Sequence, residues 1–262
     1  MTTISGKTDP VVRRIGFGDI VEALIQGLRD FQAAPLWGMA LGALYCVAGI
    51  AIVLSVTSLG MSYLAYPLAA GFALLGPFVA VGFYEISRKR EAGQTASLSD
   101  IRTAMTGRPE IGWMAFVTLF VFIMWMYQAR FLMALFFGLN ASFSSLPQFI
   151  ATVLTTTEGL IFLLVGNMIG AFLAIVLFSL TVVSFPLLMD RDVDCVTAMI
   201  TSVRAVAQSP VPLLAWAFTI VVLLVLAALP FFVGMIMVLP VLGHATWHLY
   251  RRIIVPVEAG GM

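Results

Sequence analysis

The chain has 262 residues, of which 61% are hydrophobic and 10% are charged. An ordinary soluble domain carries about 25% charged residues. A mean hydropathy of +1.05 therefore excludes a soluble globular enzyme, a disordered chain and a nucleic-acid-binding domain. The net charge of +1 says nothing about partners, so the placement of the charges has to decide.

The N-terminal stretch holds Lys7, Arg13 and Arg14 with no apolar run beside them, so it is not a cleavable secretory signal. Residues 1–16 are expected to be a flexible cytoplasmic segment, and residues 17–262 a single membrane domain. A first helix is predicted from the stripe Phe17, Ile20, Leu24, Leu28 and Phe31. Asp19 and Glu22 have capping-box spacing at its start. A bilayer core takes about 20 apolar residues to cross. The first such run, 35–55, is expected to be an uncleaved anchor, and it contains Cys46 and the close-packing pair Gly38 and Gly42.

After a short connection at 57–60 comes a second span, 61–83, with Pro77 inside it and Glu85 eight residues on. The following segment carries Arg88, Lys89, Arg90, Arg102 and Arg108, and a short helix interrupted by Gly107 and Pro109. The third span is 111–128. Residues 131–137 are too few to span again and read as an interfacial or re-entrant helix. Arg130 and Glu158 are the charges of this outer connection and are expected to pair across it. Arg130 reads either as a snorkelling anchor or as a pore-lining charge. The fourth span, 160–183, holds Asn167 between Gly166 and Gly170, a site for helix packing or for substrate contact. Pro186 follows, with Asp190 four residues on. A further amphipathic helix is marked by Val196, Met199, Ile200 and Val203. Spans five and six, 211–229 and 231–247, are joined in a tight hairpin at Pro230. Pro240 lies in the last span, with His244 four and His248 eight residues beyond it.

Of the 14 basic residues, all but Arg130 fall on one side of this arrangement, which places both termini in the cytoplasm by the positive-inside tendency. The continuous apolar runs contradict a β-barrel, whose strands alternate over about ten residues. Three strings share one pattern: Asp19-Ile20-Val21-Glu22-Ala23-Leu24, Asp100-Ile101-Arg102-Thr103-Ala104-Met105 and Asp194-Cys195-Val196-Thr197-Ala198-Met199. The expected fold is thus all-α: six transmembrane helices in three hairpins, each preceded by an interfacial amphipathic helix. The repeat units are about 17–84, 97–189 and 192–252.

Spacings of four and eight keep a polar group near its proline's face of a helix. Glu85, Asp190, His244 and His248 therefore form a candidate cytoplasmic cluster, able to bind a divalent cation or relay protons. The alternative is that these residues mark where helices leave the bilayer, with Trp247 and Tyr250 as interfacial anchors. The zinc-hydrolase motif needs Glu after its first His, and here stands Ala245. The imidazoles are in principle capable of binding haem iron, but a pair at one helix end gives little basis for it, and no cofactor is expected. Cys46 and Cys195 supply neither a disulfide framework nor metal spacing. No Ser–His–Asp arrangement or phosphate loop is expected, so the chain reads as a non-enzyme.

The strings Pro67-Leu68-Ala69-Ala70-Gly71-Phe72, Leu75-Gly76-Pro77-Phe78 and Gly82-Phe83-Tyr84-Glu85 resemble a family of uncharacterised proteobacterial integral membrane proteins. Gly243-His244-Ala245-Thr246-Trp247-His248-Leu249-Tyr250-Arg251 is similar to that family's other hallmark. The resemblance implies a bacterial inner membrane and a domain of unknown function. Some members are labelled as related to a cytochrome oxidase subunit; six spans and two histidines do not support that label here. Two functions remain open. One is an accessory or assembly component whose partners are the bilayer and other membrane proteins, with no nucleic acid. The other is a transporter or channel for a small solute or lipid.

Overall fold

Helix starts and stops are written locally in this chain. A short helix ends, one or two residues break it, and a proline opens the next helix, at Pro35, Pro109 and Pro210. Proline suits that first position because its missing N–H would have no helical partner there. The computed structural model describes residues 10–58, 65–139 and 146–256. In chain order the helices are α1 (Phe17–Ala33), α2 (Pro35–Thr57), α3 (Ala65–Glu91), α4 (Leu98–Thr106), α5 (Pro109–Phe137), α6 (Leu146–Thr155), α7 (Thr157–Thr181), α8 (Ser184–Asp190), α9 (Cys195–Gln208), α10 (Pro210–Ala228) and α11 (Met235–Ile253).

Four stretches are long and apolar enough to cross a membrane: Pro35–Ser55, Pro109–Phe137, Thr157–Asp190 and Pro210–Ala228. The expected spans one, three, four and five correspond to these. Residues 61–64 of the expected second span lie outside the described residues. The expected sixth span, 231–247, is not among these stretches: the helix there, α11, begins at Met235 and runs past the expected end through His248, Arg251 and Arg252. Residues 131–137 are not a separate re-entrant helix. They are the last two turns of α5, whose 29 residues extend about 44 Å. α6, with Phe149, Ile150, Val153 and Leu154 on a helical spacing, was not anticipated. Pro186 leaves the carbonyl of Val182 without a helical donor. The chain breaks there between α7 and α8, and Ser202 Oγ accepts from the Val183 N–H at 3.1 Å. Pro77 and Pro240, by contrast, sit inside continuous helices.

The shared aspartates cap their helices in two different ways. Asp19 and Asp100 stand three residues inside the cap and accept from the backbone N–H of Gly16 and Ser97, each at 2.9 Å. Asp194 is itself the cap and accepts from the Thr197 N–H at 2.9 Å. The third string is therefore out of helical register with the other two, and the second repeat unit carries two further short helices, α6 and α8.

Contacts divide the chain into two compact units. The first holds Met1–Ala51, Leu75–Met114 and Phe178–Met262. Here α1 packs along α11 so closely that a Cβ on Gly27 would fall 2.6 Å from the Ala245 nitrogen. A Cβ on Gly42 of α2 would fall 2.8 Å from Ile236 Cα of α11, so the expected small-residue packing occurs at this glycine. Trp216, Trp247, Tyr250, Phe83 and Phe185 fill the interior. The α1 stripe divides into two faces. Ile20, Ala23, Gly27, Asp30 and Phe31 are buried, whereas Phe17, Val21, Ile25 and Leu28 are exposed. The expected flexible N-terminal segment is tied down at its end: the Arg13 N–H donates to Ile253 O at 2.8 Å and the Val255 N–H to Val11 O at 3.0 Å. Residues 1–9 lie outside the described residues.

The second unit holds Ile52–Leu74 and Ala115–Leu177. Its aromatic contacts include Phe137 edge-on to Phe162, with centroids 5.2 Å apart. α6 turns directly into α7, where Thr156 Oγ1 accepts from the Gly159 N–H at 3.0 Å.

Candidate functional site

Asp30 is the centre of the most connected polar group in the first unit. It stands in the last turn of α1, on the same face as Ala23 and Gly27, so the tight helix approach at Gly27 carries its carboxylate inward. Asp30 is 7% exposed. Its Oδ2 accepts from Ser87 Oγ of α3 at 2.6 Å and lies 2.8 Å from His248 Nε2 of α11. Its Oδ1 lies 3.1 Å from Arg90 Nε. Burial pushes the Asp30 carboxyl up. The hydrogen bonds from His248 and Ser87 and the nearby imidazoles outweigh that, and hold it below its ordinary 3.8.

The network continues in both directions. Ser87 Oγ is 2.8 Å from His244 Nδ1, and both residues are fully buried. An ionised carboxylate only accepts, so the Ser87 proton points to Asp30 and His244 Nδ1–H donates to Ser87 Oγ. His244 Nε2 then carries a lone pair and has no hydrogen-bond partner. On the outer side, His248 Nδ1 lies 3.7 Å from Glu91 Oε1, and Arg251 Nε lies 3.1 Å from Glu91 Oε2. Arg251 Nη1 and Tyr250 Oη both reach Asp190 Oδ2, at 3.2 and 2.6 Å.

The expected four-residue cluster does not form. His244 and His248 meet Ser87, Asp30 and Glu91 instead. Glu85 forms a two-pronged pair with Arg88, both contacts at 2.7 Å. Asp190 joins the network only through Tyr250 and Arg251. Among the described residues no three His, Cys, Asp or Glu side chains stand where they could share a metal ion.

The structure does bring Ser, His and Asp together, which was not expected from the sequence. In it Ser87 directs its hydroxyl proton to the Asp30 carboxylate, with His244 Nδ1 on its other side.

The outer candidates stay apart. Asn167 is exposed, and its amide donates back to Leu163 O at 2.7 Å. A Cβ on Gly166 would meet only Leu132 Cδ1, at 3.8 Å, so no close helix approach occurs there. Arg130 and Glu158 are both exposed, and the expected ion pair between them is not formed.

Two open grooves flank the polar layer. One, of about 330 Å³, is lined by Glu85, Arg88, Lys89, Asp100 and Arg108 among others. The other, of about 420 Å³, is lined by Gln26, Arg29, Asp30, Arg90, Glu91, His248, Arg251 and Arg252. Asp30, Ser87 and Arg29 were all missed in the sequence. The signal that could have found Asp30 is its place after Ala23 and Gly27 on a small-residue face.

Several helices of this all-α chain are long and apolar enough to cross a bilayer, and their charges gather beside the helix ends; together these features define a polytopic integral membrane protein. Residues 65–190 match the model of a family described as predicted integral membrane protein (DUF2189). The resemblance seen at 67–85 lies within that match, and the C-terminal string 243–251 lies outside it. No curated protein and no solved structure matches the chain.

Proposed function

We propose that the protein is a non-enzymatic component of a bacterial inner membrane, an accessory or assembly subunit that associates with other membrane proteins. In this reading α3 and α11 also cross, giving six spans with both termini in the cytoplasm. The observation that carries it is the self-sufficiency of the polar layer. Asp30 is taken up by Ser87, His248 and Arg90, Glu85 by Arg88, Glu91 by Arg251, and Asp190 by Tyr250. Such mutually paired groups hold helices in place. Outside that layer, the long helices present apolar side chains such as Phe120, Phe131, Leu164, Phe172 and Phe218 to their surroundings. Those faces suit lipid or another membrane protein.

The test is purification in mild detergent followed by native-gel sizing and identification of co-purifying chains. The reading expects a stoichiometric complex well above the 28.3 kDa of the single chain. A chain that runs alone and catalyses solute uptake in proteoliposomes would overturn it.

A second reading, a carrier for a small solute or lipid, is favoured by Pro77 and Pro240. Each frees a backbone carbonyl within a helix that leads into the His–Asp network. Solute flux in the same proteoliposomes distinguishes the two.

A further inference from the structure

The two grooves differ in how their charges are balanced. In the smaller one, Arg88 is matched by Glu85, Lys89 by Asp100 at 3.2 Å, and Arg108 Nη1 by the Leu188 and Arg191 carbonyls. The larger groove gathers four arginines, Arg29, Arg90, Arg251 and Arg252, around two carboxylates, Asp30 and Glu91. Among its lining side chains the arginines outnumber the carboxylates by two.

Three of the four arginines have a structural task. Arg90 pairs with Asp30 through Nε, Arg251 bridges Glu91 and Asp190, and Arg252 reaches Asp19 and Glu22. Arg90, Arg251 and Arg252 also sit in last turns, where a cation offsets the negative end of the helix dipole. Arg29 has neither task. It makes no ion pair among the described residues, it is exposed, and the last turn of α1 contains no basic residue. It stands six residues before Pro35, where the apolar helix α2 begins.

We propose that this groove binds a phosphate group, with Arg29 as its principal ligand and Arg90 beside it. A guanidinium presents a planar fork that matches two phosphate oxygens at once. A volume of about 420 Å³ accommodates a phosphorylated headgroup as well as free phosphate. The Arg29 charge, not matched by an ion pair among the described residues, offsets the desolvation of the bound anion, and Gln26 and His248 supply further hydrogen-bonding groups in the lining.

The experiment uses the full chain in neutral detergent. The thermal midpoint is followed as phosphatidylglycerol, phosphatidylcholine or inorganic phosphate is added. Wild type is compared with Arg29→Gln and Arg29→Glu, and with Arg102→Gln as a control at an exposed arginine outside both grooves. A bound ligand raises the midpoint in a saturable way. The proposal expects such a rise with phosphatidylglycerol or with inorganic phosphate, weakened about fivefold in Arg29→Gln. It expects the rise to be lost in Arg29→Glu and kept in Arg102→Gln. A rise with inorganic phosphate identifies the free anion as sufficient, and a rise with the anionic lipid alone identifies a headgroup. No saturable rise with either probe, or an equal response in wild type and Arg29→Glu, overturns the proposal.

Discussion

His248 Nε2 stands 2.8 Å from Asp30 Oδ2 across 218 residues of sequence, tying the end of the first short helix to the end of the last long one. Ser87 brings α3 to the same carboxylate oxygen, so three helices meet at one atom. Removing that carboxylate leaves Arg90 and His248 facing a buried gap. Asp30→Ala is expected to destabilise the protein by about 3 kcal/mol. Glu22→Ala, at a half-buried position of the same helix with a loose 3.8 Å contact to Arg252, should cost less than about 1 kcal/mol. Thermal midpoints in detergent check both.

Acid should loosen the same layer. Asp30 sits below its ordinary 3.8 because hydrogen bonds outweigh burial, Asp19 because of the Gly16 N–H, and Asp194 because of Thr197. Asp100 is held at about 2, first by Ser97 and then by Lys89. Each carboxyl takes up its proton at higher pH in the unfolded chain, near about 3.9, than in the folded one. Their contribution is therefore complete above that pH and is lost as pH falls through the folded values. Stability in detergent should be flat with respect to these four groups down to about pH 4.5 and fall below about pH 4. The fall should be shallower in Asp30→Asn. An unchanged slope in that variant would show that Asp30 carries none of the acid sensitivity.

The glycines divide into tight and loose positions. A side chain on Gly27 would run into the Ala245 backbone, at 2.6 to 2.8 Å. Gly27→Leu should thus cost about 2–3 kcal/mol by forcing α1 off α11. Gly166, whose nearest contact would be Leu132 Cδ1 at 3.8 Å, should accept Ala with no loss, and with a small gain from helix propensity. The same thermal midpoints report both, and equal effects at the two positions would refute the distinction.

The apolar part of the fold was legible because a bilayer reads mean hydropathy over a window, and this needs no knowledge of tertiary contacts. The expected span 35–55 coincides with a stretch long and apolar enough to cross, and 211–229 differs by one residue at each end from Pro210–Ala228. The end of α5 was misjudged because Arg130 was read as a boundary, whereas a long side chain at an exposed position lets the helix continue past it. The polar site was less legible. His244 and His248 were found because two imidazoles four residues apart are conspicuous, but their partners come from α1 and α3. Asp30 reads in sequence as one more charge near a helix end. Its burial depends on how closely Gly27 lets α1 approach α11, a contact between residues far apart in the chain. The pairing of Glu85 with Arg88 was local and still missed, because the proline spacing drew attention to a distant cluster instead.

The most direct test of the six-crossing account is accessibility of single cysteines to an impermeant thiol reagent. It is measured in intact cells stripped of their outer envelope, in a background with Cys46 and Cys195 replaced by serine. Gln94→Cys follows α3, Leu139→Cys follows α5 and Leu229→Cys follows α10. The account predicts that Leu139→Cys and Leu229→Cys are labelled from outside, and Gln94→Cys only after the membrane is opened. Labelling of Gln94→Cys from the same side as Leu139→Cys would contradict it, since α3 would then fail to return the chain to the side that holds Asp30 and His248.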